Sequence, residues 1–262
     1  MKKILFILTG VALLLLTVSC KKDHKINKGN YGGDGVTPKP EAVDLGLSVK
    51  WASFNLGASK PEEYGDHYAW GEITSKDNYS WTTYKWCTGA EDKLTKYCPK
   101  DKAGDWDATA KPDGPDGEVK LLPSDDVAHV KLGGKWRMPT HGDLEELFDL
   151  ETEAAKENSD YTWEKWACAT DADGNEVIDA NGNVVRGIRI TRKSTGATLF
   201  LPAAGFLYNT DLRYEGSYGY YWSSSLDADS PYGAYFVYFN SYGVSRAVSN
   251  RCSGRSVRPV TK

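Results

Sequence analysis

Between Gly216 and Ser245 the only charged residues are Asp227 and Asp229, and the rest is dominated by Tyr, Ser and Gly. The stretch reads GSYGYYWSSSLDADSPYGAYFVYFNSYGVS, and it bounds what the chain can be. Aromatic and small polar residues in alternation predict antiparallel strands. The same composition serves a binding surface, because Tyr offers large contact area for two rotatable bonds while Ser, Gly and Asn adapt their hydrogen bonding. Phe200 to Tyr242 holds 14 of the 32 aromatic residues. The segment therefore predicts a strand-built, aromatic ligand surface.

The N-terminus reads as an export signal. Lys2 and Lys3 precede an apolar run from Ile4 to Val18 that is too short to span a bilayer. The run ends in LLTVSC, which predicts a lipoprotein signal peptide over residues 1–19 and lipidation of Cys20. Several acyl chains, at about 0.8 kcal/mol per buried CH₂, would anchor the protein durably, so contact with membrane is expected through the lipid only. Residues 20–42 are polar and rich in Gly, Pro and Lys, and predict a disordered tether. A chain of that length spans about 25 Å at roughly 5–6 Å × √n.

Cleavage would remove two lysines and no acids. Of 32 basic and 36 acidic residues the mature chain keeps 30 and 36, a net charge of −6. That balance argues against a nucleic-acid partner, which needs a basic footprint. Four cysteines follow Cys20: Cys87, Cys98, Cys168 and Cys252. An even number in an exported chain suggests two disulfides, with three connectivities open. Cys87 and Cys98 flank a hairpin-like loop and are the preferred pair. Cys168 with Cys252 follows by elimination, and free thiols are the alternative.

Along the chain, Val43–Leu56 alternates as a strand does. The segments from Gly57 to Trp86 mix turn residues with Trp and Tyr at short strand spacing, and Gly89–Gly117 reads as a long surface loop. The clearest helix starts at Thr140, where Thr140 and Asp143 have capping-box spacing and Leu144, Leu147 and Phe148 form a core-facing stripe. A weaker helical stretch covers Glu153–Lys156. In Asp171–Val185 the echo DADGNEVI/DANGNVVR predicts a hairpin about Gly/Asn turns. Its Asp-x-Asp-Gly-Asn spacing also offers oxygens to calcium, but Glu176 stands where an EF-hand loop needs Gly and no bidentate Glu follows.

Catalytic signatures are scarce. The sequence has no GxSxG, HExxH or phosphate-cradling GxxxxGK[ST]. Asp126 and His129, with Asp125 beside them, could form a metal or acid–base pair, although a solvated polar turn before a strand is the simpler reading. Glu62, Glu63, Asp66 and Glu72 supply carboxylates, but glycosidase chemistry needs two of them across a cleft. The reading is of a non-enzyme without cofactor or metal.

Four ordered blocks carry a resemblance: VDLGLSVKWASFNLGASKPEEYGDHYAWGE, GGKWRMPTHGDLEEL, LFLPAAGF, and GSYGYYWSSS ending in GRSVRPV. Together they resemble the Fibrobacter succinogenes major paralogous domain of Bacteroidetes lipoproteins, similar in fold to C-type lectin-like modules and the formylglycine-generating-enzyme group. The resemblance covers residues 43–260. It implies an α+β, C-type lectin-like fold of small antiparallel sheets, one or two packed helices and long loops, with its termini close together. It also implies an outer-membrane, surface-exposed, adhesin-like protein that binds a glycan or protein ligand. A structural subunit of a fimbrial or envelope assembly is the alternative. An oxidase of the formylglycine-generating type is a third, for which the C-terminal region offers only Cys252. The Glu-Pro-Asn or Gln-Pro-Asp and Trp-Asn-Asp signatures of calcium-dependent sugar binding do not occur.

Taking Ala234–Tyr242 as a strand places Tyr235, Val237, Phe239 and Ser241 on one face. These match framework positions of the resembled family and are expected in the core, with Val244, Arg251, Gly254 and SVRPV. Most of the permissive positions form the expected ligand-binding set: Asp227, Asp229, Tyr232, Phe236, Tyr238, Asn240, Tyr242, Ser245, Arg246, Ser249, Asn250 and Ser253; Ala234 and Cys252 are permissive as well but lie outside that set. Some C-type lectin-like proteins of such bacteria have these positions diversified by a retroelement that rewrites adenines, and the residue types here suit that origin.

Overall fold

The structure, a computed structural model, describes residues 38–98, 119–227 and 229–262. The expected signal peptide, Cys20 and the tether as far as residue 37 lie outside the described residues, as do residues 99–118 of the expected surface loop. Among the described residues no helix is long and apolar enough to cross a membrane.

The alternation of Val43–Leu56 yields two short strands, β1 (Ala42–Val43) and β2 (Lys50–Ala52), separated by a turn. The Asp44 side chain closes that turn by accepting the Gly46 N–H at 2.9 Å. β12 (Val260–Thr261) pairs with the other edge of β2, so both ends of the described chain share one small sheet. Trp51 sits at its centre, opposite Val43 on one side and Val260 on the other, with no side-chain exposure.

After β3 (Val119–Lys120), the SDDVAHV segment forms a short helix, α1 (Val127–Leu132). A strand was expected to follow that polar turn. The helix wins because Asp126 caps it, accepting N–H bonds from Ala128 and His129 at 2.9 and 3.0 Å. The expected capping box starts α2 (His141–Ala154): Thr140 Oγ1 accepts from Asp143 N, and Asp143 accepts from Thr140 N. Leu144, Leu147 and Phe148 are buried, as the stripe requires. Glu153 and Ala154 are the last residues of this same helix, which is capped by Ala155, so the weaker helix expected over Glu153–Lys156 does not exist as a separate element.

β4 (Tyr161–Cys168), β5 (Arg186–Arg192) and β6 (Thr198–Pro202) form an antiparallel sheet against which α2 packs. Between β4 and β5 the echo folds as two successive tight turns instead of one hairpin. Asp171 accepts the N–H groups of Asp173 and Asn175, and Asp179 accepts those of Asn181 and Asn183, so each Asp organises its own turn.

The largest sheet runs β11 (Val244–Asn250), β10 (Gly233–Phe239), β9 (Gly219–Leu226), β7 (Ala204–Tyr208) and β8 (Asp211–Glu215), with β3 on β9. All pairs are antiparallel except β7 with β9. Every residue of β9 is buried, because this sheet has core on both sides. Tyr221, Val237 and Phe239 pack towards α2 and the β4–β6 sheet. Tyr220, Trp222, Ala234 and Phe236 pack into a second core with α1, Tyr68 and Trp70. The result is a sheet-dominated α+β fold with two helices among the described residues.

The close approach of β7 and β8 depends on Gly205, whose φ is +65°. A Cβ there would lie 2.3 Å from the Arg213 carbonyl oxygen, so only glycine lets β7 and β8 approach.

Candidate functional site

The two faces of β10 alternate as the sequence predicts, but neither is simply exposed. Phe236 is 5% exposed and belongs to the core, which removes it from the ligand-binding set. It is covered because the C-terminal segment and α1 close over that part of the sheet. Ser253 and Cys252 are buried as well. Conversely, Ser241, expected in the core, is exposed, because β10 ends at Phe239 and Ser241 falls in the turn. Tyr235 is half-buried, its ring stacked on His141 of α2 at 4.4 Å. Arg251, Gly254, Val257, Arg258 and Val260 are buried as expected.

The remaining expected ligand residues do not converge. Asp227, Asp229 and Tyr232 lie at the β9–β10 turn, where Asp227 accepts the Asp229 N–H at 3.1 Å. Asn240 and Tyr242 occupy the β10–β11 turn at the other end of the hairpin. There Asn240 Oδ1 accepts the N–H groups of Tyr242 and Gly243, leaving Tyr242 90% exposed at the tip. Arg246 faces α2 and pairs with Asp149, and alternation puts Asn250 on the same side. Ser245 stands opposite Tyr238, and Ser249 opposite Ala234, on the other face.

On that other face the structure assembles a ring cluster that sequence reading only partly found. Tyr238 of β10 stacks on Tyr220 of β9 at 5.8 Å and 21°, and Tyr218 stacks on Tyr220 at 5.8 Å and 17°. Tyr214 of β8 meets Tyr218 at 5.0 Å and Phe206 of β7 at 6.1 Å. Tyr214 is 55% exposed, whereas Phe206, Tyr218 and Tyr238 are half-buried, so β7, β8, β10 and the turn before β9 present aromatic rings to solvent around the buried Tyr220. Tyr214 also has φ +58°, an uncommon conformation for a bulky residue. Its carbonyl accepts the N–H groups of Ser217 and Tyr218, which fixes the turn and swings both rings to one side. The period-two spacing of Tyr218 and Tyr220 was the available signal. Phe206 and Tyr214 come from separate strands and needed the topology.

Directly behind the platform lies Arg255. Its backbone pairs with Tyr68, while the next residue bonds to both Tyr220 and Trp222 of β9. The guanidinium carbon is 4.0 Å from the Phe236 ring centre, 4.4 Å from Trp222, 5.3 Å from Phe206 and 5.6 Å from Tyr220. Its Nε and Nη1 are buried without a hydrogen-bond partner. Burial pulls its pKa down to about 9, which leaves it cationic at neutral pH. Arg258, also buried, donates from all three nitrogens to Asn55, Ala52 and Phe200, and Arg251 donates from two to Tyr97 and Lys96. Arg251 Nε also lacks a partner, so of the three neighbouring buried arginines Arg255 is the least satisfied and Arg258 the most.

The other candidate groups serve the fold. Asp126 accepts the Met138 N–H through both carboxylate oxygens besides capping α1, and His129 Nδ1 lies 3.2 Å from the Trp136 carbonyl. Glu63 accepts from Ser59, Asp66 from the Tyr68 hydroxyl, and Glu72 from Lys76 and the Lys85 N–H. Among the described residues no cluster of His, Cys, Asp and Glu could hold a metal ion. The expected Cys87–Cys98 disulfide is not formed: Cys87 donates to the Trp81 carbonyl at 2.8 Å and Cys98 to that of Leu94 at 3.6 Å. Cys168 does not pair with Cys252 either. It accepts from Arg186 Nη1, while Cys252 is buried beside Tyr79, Tyr84 and Leu207 in a cluster that Cys87 joins. Tyr97, inside the expected surface loop, is fully buried, its hydroxyl donating to Asp125 at 2.6 Å.

A family model described as a domain of unknown function (DUF8237) matches residues 189–260, from β5 to the start of β12. The match includes the whole platform and Arg255 and covers less than half of the chain. No curated protein and no solved structure matches.

Proposed function

We propose that this chain is a non-catalytic, lipid-anchored surface protein that binds a glycan, and that its fold is of the C-type lectin-like kind. The observation that carries the reading is the platform of Phe206, Tyr214, Tyr218 and Tyr238, stacked at 5–6 Å and open to solvent. Rings already packed against one another on strands cost little further ordering when a ligand arrives. Their faces suit the C–H faces of pyranose rings, and the tyrosine hydroxyls and Ser245 can serve sugar hydroxyls. An exposed aromatic group of this size calls for a partner. The binding site sits on the flat of the sheet, where the strands fix it, and the hairpin tips are peripheral to it.

The test is a screen of the purified protein against glycan and host-protein arrays, repeated with Tyr218→Ala. Glycan capture lost in the variant supports the reading. Capture of proteins alone, or capture indifferent to Tyr218, overturns it.

A further inference from the structure

We infer that the saccharide bound by the platform is acidic, and that Arg255 supplies the positive charge that selects it. The inference rests on the glycan reading above and narrows its ligand class. Arg255 is 3% exposed, yet its Nε and Nη1 have no partner, and among the described residues no carboxylate pairs with it. Burying an arginine in this state costs stability, because a buried charge normally comes with a counter-ion or a full set of hydrogen bonds. Arg258, a few residues on, donates from each of its three nitrogens.

The position of the charge supplies a reason for keeping it. Tyr220 is one of the four rings around the guanidinium, and it is also the ring on which Tyr218 and Tyr238 stack. The cation therefore lies one aromatic layer behind the surface, in a medium that screens poorly. The inner ring faces are already engaged by the cation, an arrangement a planar guanidinium supports better than an ammonium group. A cation with no carboxylate paired to it among the described residues thus lies one ring behind the platform. A neutral sugar leaves that charge unanswered, whereas a carboxylate on the sugar answers it. The chain as a whole has a net charge of −4 at pH 7, so attraction of any polyanion by overall charge is ruled out as the source of selectivity.

The experiment is an array of matched saccharides, in which hexuronate and sialic acid oligomers are printed beside their carboxyl-reduced counterparts, probed with the full-length protein. The acidic member of each bound pair should hold at least about tenfold more tightly, and the preference should shrink as salt is raised. Arg255→Met should abolish the preference while retaining capture of the reduced sugars. Equal affinity for acidic and reduced members in the unaltered protein overturns the inference and leaves the glycan reading standing. Silence over the whole array overturns the glycan reading itself, and the inference with it. Should Arg255→Met fail to fold, the matched pairs on the unaltered protein still decide.

Discussion

The guanidinium of Arg255 lies 4.0 Å from the centre of the Phe236 ring, in a core where neither residue reaches solvent appreciably. Phe236 is therefore a structural partner of the arginine. Phe236→Ala is expected to destabilise the protein by roughly 3–5 kcal/mol, the range for a large buried side chain that leaves a cavity. Chemical denaturation checks this, and an unchanged midpoint would place the ring outside the core.

The platform rings should lose function before stability. Tyr214→Ala and Tyr238→Ala are expected to abolish glycan capture, with a stability change of about 1 kcal/mol or less at the exposed Tyr214 and a larger one at the half-buried Tyr238. Tyr242→Ala, at the tip of the β10–β11 turn and 90% exposed, should leave capture intact. Array binding and melting temperature, measured on the same three variants, separate these outcomes.

The α2 N-terminus predicts a response to acid. Burial works to raise the Asp143 pKa, but the Arg137 side chain at 2.6 Å and the Thr140 N–H outweigh it and hold the carboxyl below its usual value. A depressed folded pKa contributes stability that is present above the unfolded value of about 3.9 and is lost as pH falls through the folded one. Asp143→Asn should thus lower stability at neutral pH and flatten its fall below about pH 4. Thr140→Ala should cost about 0.5–2 kcal/mol and Leu147→Ala about 2–5. Denaturant midpoints across pH test all three; a parallel acid profile for Asp143→Asn would remove Asp143 from this role.

Cys252 is expected to resist alkylation in the native protein. Burial pushes its thiol up to about 12, so almost no thiolate exists at neutral pH, and the sulfur is covered by Tyr79 and Tyr84. Mass spectrometry after iodoacetamide treatment should find Cys252 modified only once denaturant is added.

Anchoring can be tested through Cys20. Metabolic labelling with a palmitate analogue should mark the unaltered protein and miss Cys20→Ala, and a labelled variant would end the lipoprotein proposal.

Some of this was readable in the chain and some was not. The capping box at Thr140 and Asp143 is local, so three residues sufficed to place the start of α2. The alternation of β10 was readable too, because parity along a strand is local. Which parity faces solvent was not, since Phe236 and Phe239 are equally apolar and the sheet is covered on both sides. The burial of Tyr97 depends on Asp125 and Arg251, both far away in sequence. The platform likewise joins β7, β8, β9 and β10, and Arg255 reaches it from the C-terminal segment, so no window of sequence contains the site.

The small sheet that joins the two ends of the described residues has a mechanical consequence. Ala42 lies opposite Ala52 and Thr261 opposite Lys50, so the chain enters β1 at one end of β2 and leaves β12 at the other. Tension between the two ends runs along the strands and loads their hydrogen bonds together in shear, instead of opening them one at a time like a zip. The platform belongs to a different sheet and stays off that line of force. A stretched protein would keep the proposed binding face in shape while β1, β2 and β12 took the strain.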